Sequence, residues 1–203
     1  PPPAAKRLEA VEATLASIRT KLEPLAAAQQ AAKASLDTAQ QQLKDAEAAQ
    51  AAAVAAVQQS QAKEAALRQQ SQQLGEKLPT MILSSRDQHD AVIAARIGLG
   101  DAVDPAKIES VAVAETKLAT LMTDIANTRR EAIDAVNKAD AEKTAATELA
   151  AKIKPAEELV QQRRSEVDAA TTAYEQAQQA HDAVAAEMTE QDRKKQALAA
   201  AVQ

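Results

Sequence analysis

The chain has no cysteine, no phenylalanine and no tryptophan, and its one aromatic residue is Tyr174. Without cysteine there are no disulfides and no thiolate metal sites, and neither redox compartment is favoured. Without large aromatics a thick globular core cannot be filled at normal packing density. Glycine is almost missing: Gly75, Gly98 and Gly100 are the only three in 203 residues, all in one central window. Outside that window nothing invites the chain to leave a helical path. There is no long basic run, and a net charge of -5 with both signs mixed along the chain argues against a duplex-binding protein. The longest uncharged stretch, Ala48 to Ala62, is too short and too rich in glutamine to span a membrane. An initiator methionine and a signal peptide are also lacking. The chain opens "PPPAAKRLEA" and reads as a processed protein or a piece of a longer one.

What is present is a helix former's alphabet of alanine, glutamine, glutamate, lysine and leucine, the mark of long helices and coiled coils. From Leu8 the apolar residues step by three and four: Leu8, Val11, Leu15, Ile18, Leu22, Leu25 and so on to Leu78. Of 21 consecutive seam seats, 16 are apolar; the exceptions are Gln29, Gln50, Ser60, Glu64 and Ser71. A period of 3.5 held this long predicts a left-handed coiled coil rather than a globular helix. A second periodic region follows Pro105. Its predicted seam runs through Ile108, Val111, Leu118, Met122, Ile125, Ala132, Val136, Ala139 and Ala146, slips in phase, and resumes at Leu149 and Ile153 toward Leu198.

These patterns predict an all-α fold: a long antiparallel two-helix coiled-coil hairpin with a small irregular or helical tip near residues 75–105. The expected divisions are a Pro-rich lead-in at 1–5, a first arm at 6–74 kinked at Pro24, the tip at 75–105, and a second arm at 106–203 kinked at Pro155. A reversal centred near 90–92 would set Pro24 ("LEPLA") opposite Pro155 ("IKPAE"), as one shared bend. It would also leave the second arm overhanging by roughly 27 residues, about 40 Å at 1.5 Å per residue. That overhang, with His181, Val184, Met188 and Leu198, would call for another subunit or for sequence preceding Pro1. Alanine at the contact lets the helices approach closely, while each seat buries little.

In the tip, Ser84 or Ser85 can cap a short helix that runs to about Arg96, and Asp104-Pro105 can start the second arm. Ala91, Val92, Ala95 and Ile97 would fold over the arm ends. The tip is the candidate partner-binding region, through Met81, Ile82, Leu83, Arg86, His89, Val92, Arg96 and Leu99; the competing reading is a plug over an open seam end.

No reaction chemistry is legible. His89 has Asp87 and Asp90 nearby, but those spacings do not aim three ligands at one metal, and no HExxH occurs. His181 reads as a seam packing residue. "GLGDAV" has no preceding strand and no following lysine to make a phosphate loop. The Arg129-Arg130, Arg163-Arg164 and Arg193 to Lys195 clusters have acidic neighbours and read as solvated helix faces. No catalytic residue, cofactor or metal ligand is assigned, and an enzyme is not expected.

The leading expectation is a structural coiled coil, a spacer, stalk or assembly strut in a larger bacterial complex. The alternative is a recognition arm presenting the 75–105 tip. The arms resemble the helical hairpins of bacterial periplasmic adaptor proteins of efflux and type I secretion systems, in composition and architecture only. That resemblance implies a cell-envelope or periplasmic setting and a protein partner. It transfers no residue, because those hairpins turn tightly and are flanked by β-rich domains. Partners are expected to be proteins or further copies of the chain, not nucleic acid, small molecules or a membrane interior. The balanced charge and alanine-rich seam also argue against strong membrane-surface binding.

Overall fold

The structure, a computed structural model, describes residues 3–100 and 104–202. Three helices account for nearly all of them: α1 at Ala4–Leu99, α2 at Pro105–Ala150 and α3 at Ile153–Val202. The chain is an antiparallel helical hairpin, with no strand among the described residues, and its reversal falls inside the predicted 75–105 window. It divides into two units, one of residues 1–52 and 153–203, the other of residues 53–152.

In the 53–152 unit, α1 packs antiparallel to α2. Its seam continues unbroken past Leu78 through Met81, Ser85, Gln88, Val92, Ala95 and Leu99, all buried or half-buried. No separate helix starts at Ser84 or Ser85: α1 carries straight through Gly75 and Pro79, two residues that read as helix breakers. Packing of this stripe on α2 overrides the local preference. Gly100 ends α1 at φ 55, a left-handed conformation that glycine adopts without steric penalty. Asp104 then caps α2 as expected. Its extended backbone (φ -100, ψ 111) lets the carboxylate accept from the Ala106 amide at 3.0 Å, with Pro105 as the first helical residue. Residues 1–2 of the lead-in and 101–103 of the tip lie outside the described residues.

The register follows from the side chains that meet across the coil. In this unit Ser60 bonds Glu142, Ser71 bonds the carbonyl of Ala132, and Gln88 bonds that of Ala114. In the other unit Glu12 meets Lys195 and Glu47 meets Arg164. Facing residue numbers in these pairs total between 202 and 207 for all but Glu47–Arg164, which totals 211, so the chain reverses beyond Gly100 and not near 90–92. The reason is the length of α1, which keeps its helix and its seam for some two dozen residues more than the composition of the tip predicted.

Two expectations fall with that shift. In the 1–52/153–203 unit, Pro155 sits at the level of residue 51 or so and Pro24 near residue 182, so the prolines do not share a bend. The 27-residue overhang disappears as well: Lys195 is bonded to Glu12, and His181, Val184, Met188 and Leu198 are half-buried on the seam of α3 against α1.

The two prolines differ in effect. α1 passes Pro24 without interruption. The second arm breaks at Ala151 and Lys152, where the Lys152 amide turns back to Leu149 at 3.0 Å. A proline at 155 offers no donor to the Ala151 carbonyl and its ring crowds it, which places the break four residues upstream. Pro155→Ala restores that donor. The expected outcome is one helix through α2 and α3, slower amide exchange at residues 151–156, and a gain of about 1–2 kcal/mol, part of the proline penalty in a helix. Unchanged exchange there would assign the break to another cause.

The predicted phase slip after Ala146 is also absent. The seam of α2 is Val111, Ala114, Leu118, Leu121, Ile125, Thr128, Ala132, Ala135, Ala139, Glu142, Ala146 and Leu149, and Ile153 follows four residues later. Ile108, Met122 and Val136 were expected on the seam and lie exposed beside it. Leu121 and Ala135, one residue earlier, take their places.

Candidate functional site

Every polar seat of the first arm's seam is in fact on the seam. Gln29, Gln50, Ser60, Glu64 and Ser71 are all buried or half-buried. Two bond across the contact: the Ser60 hydroxyl donates to Glu142 at 2.8 Å, and the Ser71 hydroxyl to the Ala132 carbonyl at 3.1 Å. A serine has one Cβ–Oγ bond of reach, so the second bond measures how near the two backbones run. Alanine supplies much of the seam, with Ala39, Ala46, Ala135, Ala139 and Ala146 buried. The close approach expected of an alanine seam is therefore present in the 53–152 unit.

Among the described residues an open groove of about 840 Å³ lies between α1 and α2. Ser84, Asp87, Val113, Thr116, Lys117 and Thr120 are among its lining residues. It holds no histidine, and Ser84 donates to no base. His89 instead faces Asp90, 3.8 Å away, and His181 faces Asp182 at 3.1 Å. Among the described residues no three His, Cys, Asp or Glu side chains are gathered as a metal would need. No helix is long and apolar enough to cross a membrane.

Two charged groups are shifted. Hydrogen bonds from Arg163 and then Gln162 hold the Glu166 carboxyl below its ordinary value, and Glu64 and then Asp140 hold Arg68 protonated. For Glu166 the stabilisation is present above the unfolded carboxylate's range and is lost as pH falls through the folded value. Arg68 is exposed and Glu166 half-exposed, so both set local geometry more than stability.

The eight tip residues do not form one surface. Met81, Val92 and Leu99 belong to the seam, and Met81 sulfur accepts from the Thr128 hydroxyl at 3.7 Å. Arg96 is committed to an ion pair with Glu115. Ile82, Leu83, Arg86 and His89 point into solvent.

A second feature is a lateral face of the 53–152 unit. A row of exposed apolar residues runs beside the seam of α2: Ile108, and then Met122, Ile133 and Val136, each just after a seam seat, of which Met122 is 59% and Ile133 62% exposed. Ala112, Ala119 and Ala126 fill intermediate seats, also exposed. The ion pairs Arg96–Glu115 and Arg68–Asp140 join residues in this same position on both helices, so the corresponding flank of α1, with Ile82 and Ile93, lies on the same side. The signal was in the sequence, because a helix with apolar residues at two adjacent seats of each half-heptad has two faces to offer. Reading Ile108, Met122 and Val136 as the seam itself concealed it.

No protein-family model matches the chain, and no curated protein matches it. Among solved structures it is similar to a coiled-coil segment of Smc from Pyrococcus yayanosii, residues 345–468 and 694–814 of that protein. Identity is 16%, the match covers 96% of this chain and 88% of that one, and the TM-score is 0.31. The likeness is one of helical coiled-coil architecture alone.

Proposed function

We propose that this chain is a non-enzymatic structural coiled coil, a spacer, stalk or assembly strut in a larger complex. The observation that carries the reading is the unbroken seam. α1 keeps its three-four spacing from Leu8 to Leu99, and every polar seat within it is accommodated. A chain selected for reaction chemistry concentrates perturbed titratable groups in a cleft. Here Arg68 stands on an exposed helix flank and Glu166 is half-buried on α3, and neither lines the groove that holds Ser84, Asp87 and Lys117.

The test addresses the groove between α1 and α2. In a strain that depends on this protein, the Ser84→Ala, Asp87→Ala, Lys117→Ala triple variant keeps full function, while Ile125→Asp on the buried seam abolishes it. Loss of function in the triple variant, with helicity intact, would overturn the structural reading.

The second reading, a recognition arm, is favoured by one observation: Ile97, near the reversal, and Leu83, farther along α1, are large apolar side chains 76% and 60% exposed. On that reading Ile82, Leu83, Arg86 and His89 meet a protein partner. Leu83→Asp with Ile97→Asp would remove the partner and leave the helical content unchanged.

A further inference from the structure

We infer that the lateral flank of α2 is a self-association surface, on which a second copy of this chain docks antiparallel about a two-fold axis at Met122. The inference goes beyond the strut reading and does not depend on it, since it rests on the pattern of one face.

That face is self-complementary. Ile108 and Val136 lie fourteen residues to either side of Met122, and Glu115 and Arg129 lie seven to either side. A two-fold axis through Met122 therefore brings Ile108 onto Val136 of the second copy, and Glu115 onto Arg129 of the second copy. Between them Ala119 and Ala126, three and four residues from the axis, come within one residue of facing each other, as do Ala112 and Ile133. An isologous interface needs this property: one patch that matches itself after a half-turn.

The charges are disposed to make that contact. Arg129 is exposed and makes no ion pair among the described residues. Glu115 receives both Arg96 nitrogens on Oε1, which leaves Oε2 open to a second guanidinium. Arg96, Glu115 and the second copy's Arg129 then form a short network at each end of the apolar centre.

The size also fits. From Ile108 to Val136 the face is about 42 Å long at 1.5 Å per residue, and two helices of about 10 Å each make it about 20 Å wide. That is about 800 Å² per chain, the area that a standard stable interface covers on each partner. The groove beside it mixes Ser84, Asp87, Lys117 and Thr120 with Val113 and Leu121, and Ala112 lies where the groove meets the face.

Sedimentation equilibrium of the full chain, combined with cysteine cross-linking, tests this. The wild-type chain should show a concentration-dependent dimer of twice 21.4 kDa. Met122→Glu sets two like charges at the axis and should raise the dimer dissociation constant about a hundredfold or more; Ile133→Glu should weaken it by about tenfold or more. Both seats are exposed, so circular dichroism should stay unchanged. The chain has no cysteine of its own, so a single thiol reports cleanly. Met122→Cys should cross-link to itself under mild oxidation. Ile108→Cys should cross-link when mixed with Val136→Cys and not to itself. A chain that remains at 21.4 kDa at every concentration up to its solubility limit would overturn the inference and leave the face to another occupant. So would association untouched by both glutamate variants, or cross-linking without the Met122 symmetry.

Discussion

Ile18→Asp is expected to unfold the 1–52/153–203 unit at temperatures where the wild-type protein is intact. Ile18 is 1% exposed and Leu15, three residues earlier, is 3% exposed. Among the described residues Ile18 is the one large side chain below 2% exposure. In an alanine-lined coil these two residues contribute a large share of the apolar burial at their end. Removing an isoleucine of this kind costs about 2–5 kcal/mol. Placing a carboxylate there adds a desolvation penalty or a shifted protonation, since no cation is bonded at the site. Together the loss exceeds about 4 kcal/mol, which is comparable with the whole stability of a small unit. Amide exchange should locate the loss in residues 3–52 and 153–202. Leu83→Gln is the control: it removes an apolar side chain of similar size from a seat 60% exposed, and should change stability by no more than about 0.5 kcal/mol. If both variants cost the same, the seam is not where the stability resides.

Ala139→Leu has an expected effect whose sign is informative. In an ordinary heptad seam, leucine for alanine adds burial and stabilises. Ala139 is 0% exposed, and on the same contact the Ser71 hydroxyl reaches a backbone carbonyl on the facing helix at 3.1 Å. Three extra heavy atoms have no space between helices that close. They force the pair apart or the side chain off its rotamer, at a cost of about 1–3 kcal/mol. The Ser71–Ala132 and Ser60–Glu142 bonds should lengthen or break together. Urea unfolding reads the change as a lower midpoint with the slope retained. A higher midpoint would mean that the alanine seam is loosely packed and that its serine bonds do not report a close approach.

The first arm was legible almost seat by seat. Its period stayed at 3.5 from Leu8 to Leu78, and even the polar exceptions fell on the seam, because a serine or glutamine can find a partner across it. The second arm was ambiguous for a physical reason. Leu121 and Met122 are adjacent, and a three-four grid can be drawn through either. Only the position of α1 decides, and it selects Leu121. The tip was misjudged from the local preferences of Gly75 and Pro79, which contact with α2 outweighs. That single difference moved the reversal by about a dozen residues, and with it the facing of the prolines and the fate of the second arm's end. Of the tip side chains considered for a partner, those at seam spacing (Met81, Val92, Leu99) were already spoken for by the coil. Extending the first arm's grid past Leu78 would have shown it.

The register is the claim on which the rest stands, and paired spin labels within the 53–152 unit measure it directly. Arg68 and Asp140 are bonded at 3.0 Å across the coil. Labels at these two positions, diluted with unlabelled protein so that only distances within one chain count, should lie near the separation of two packed helices, about 10 Å between axes. Labels at Arg68 and Ala114 should lie much farther apart, since 26 residues of helix at 1.5 Å each amount to about 39 Å. A short distance for Arg68 and Ala114, with a long one for Arg68 and Asp140, would restore a reversal near residue 91 and contradict the register, the seam of α2 and the exposed face together.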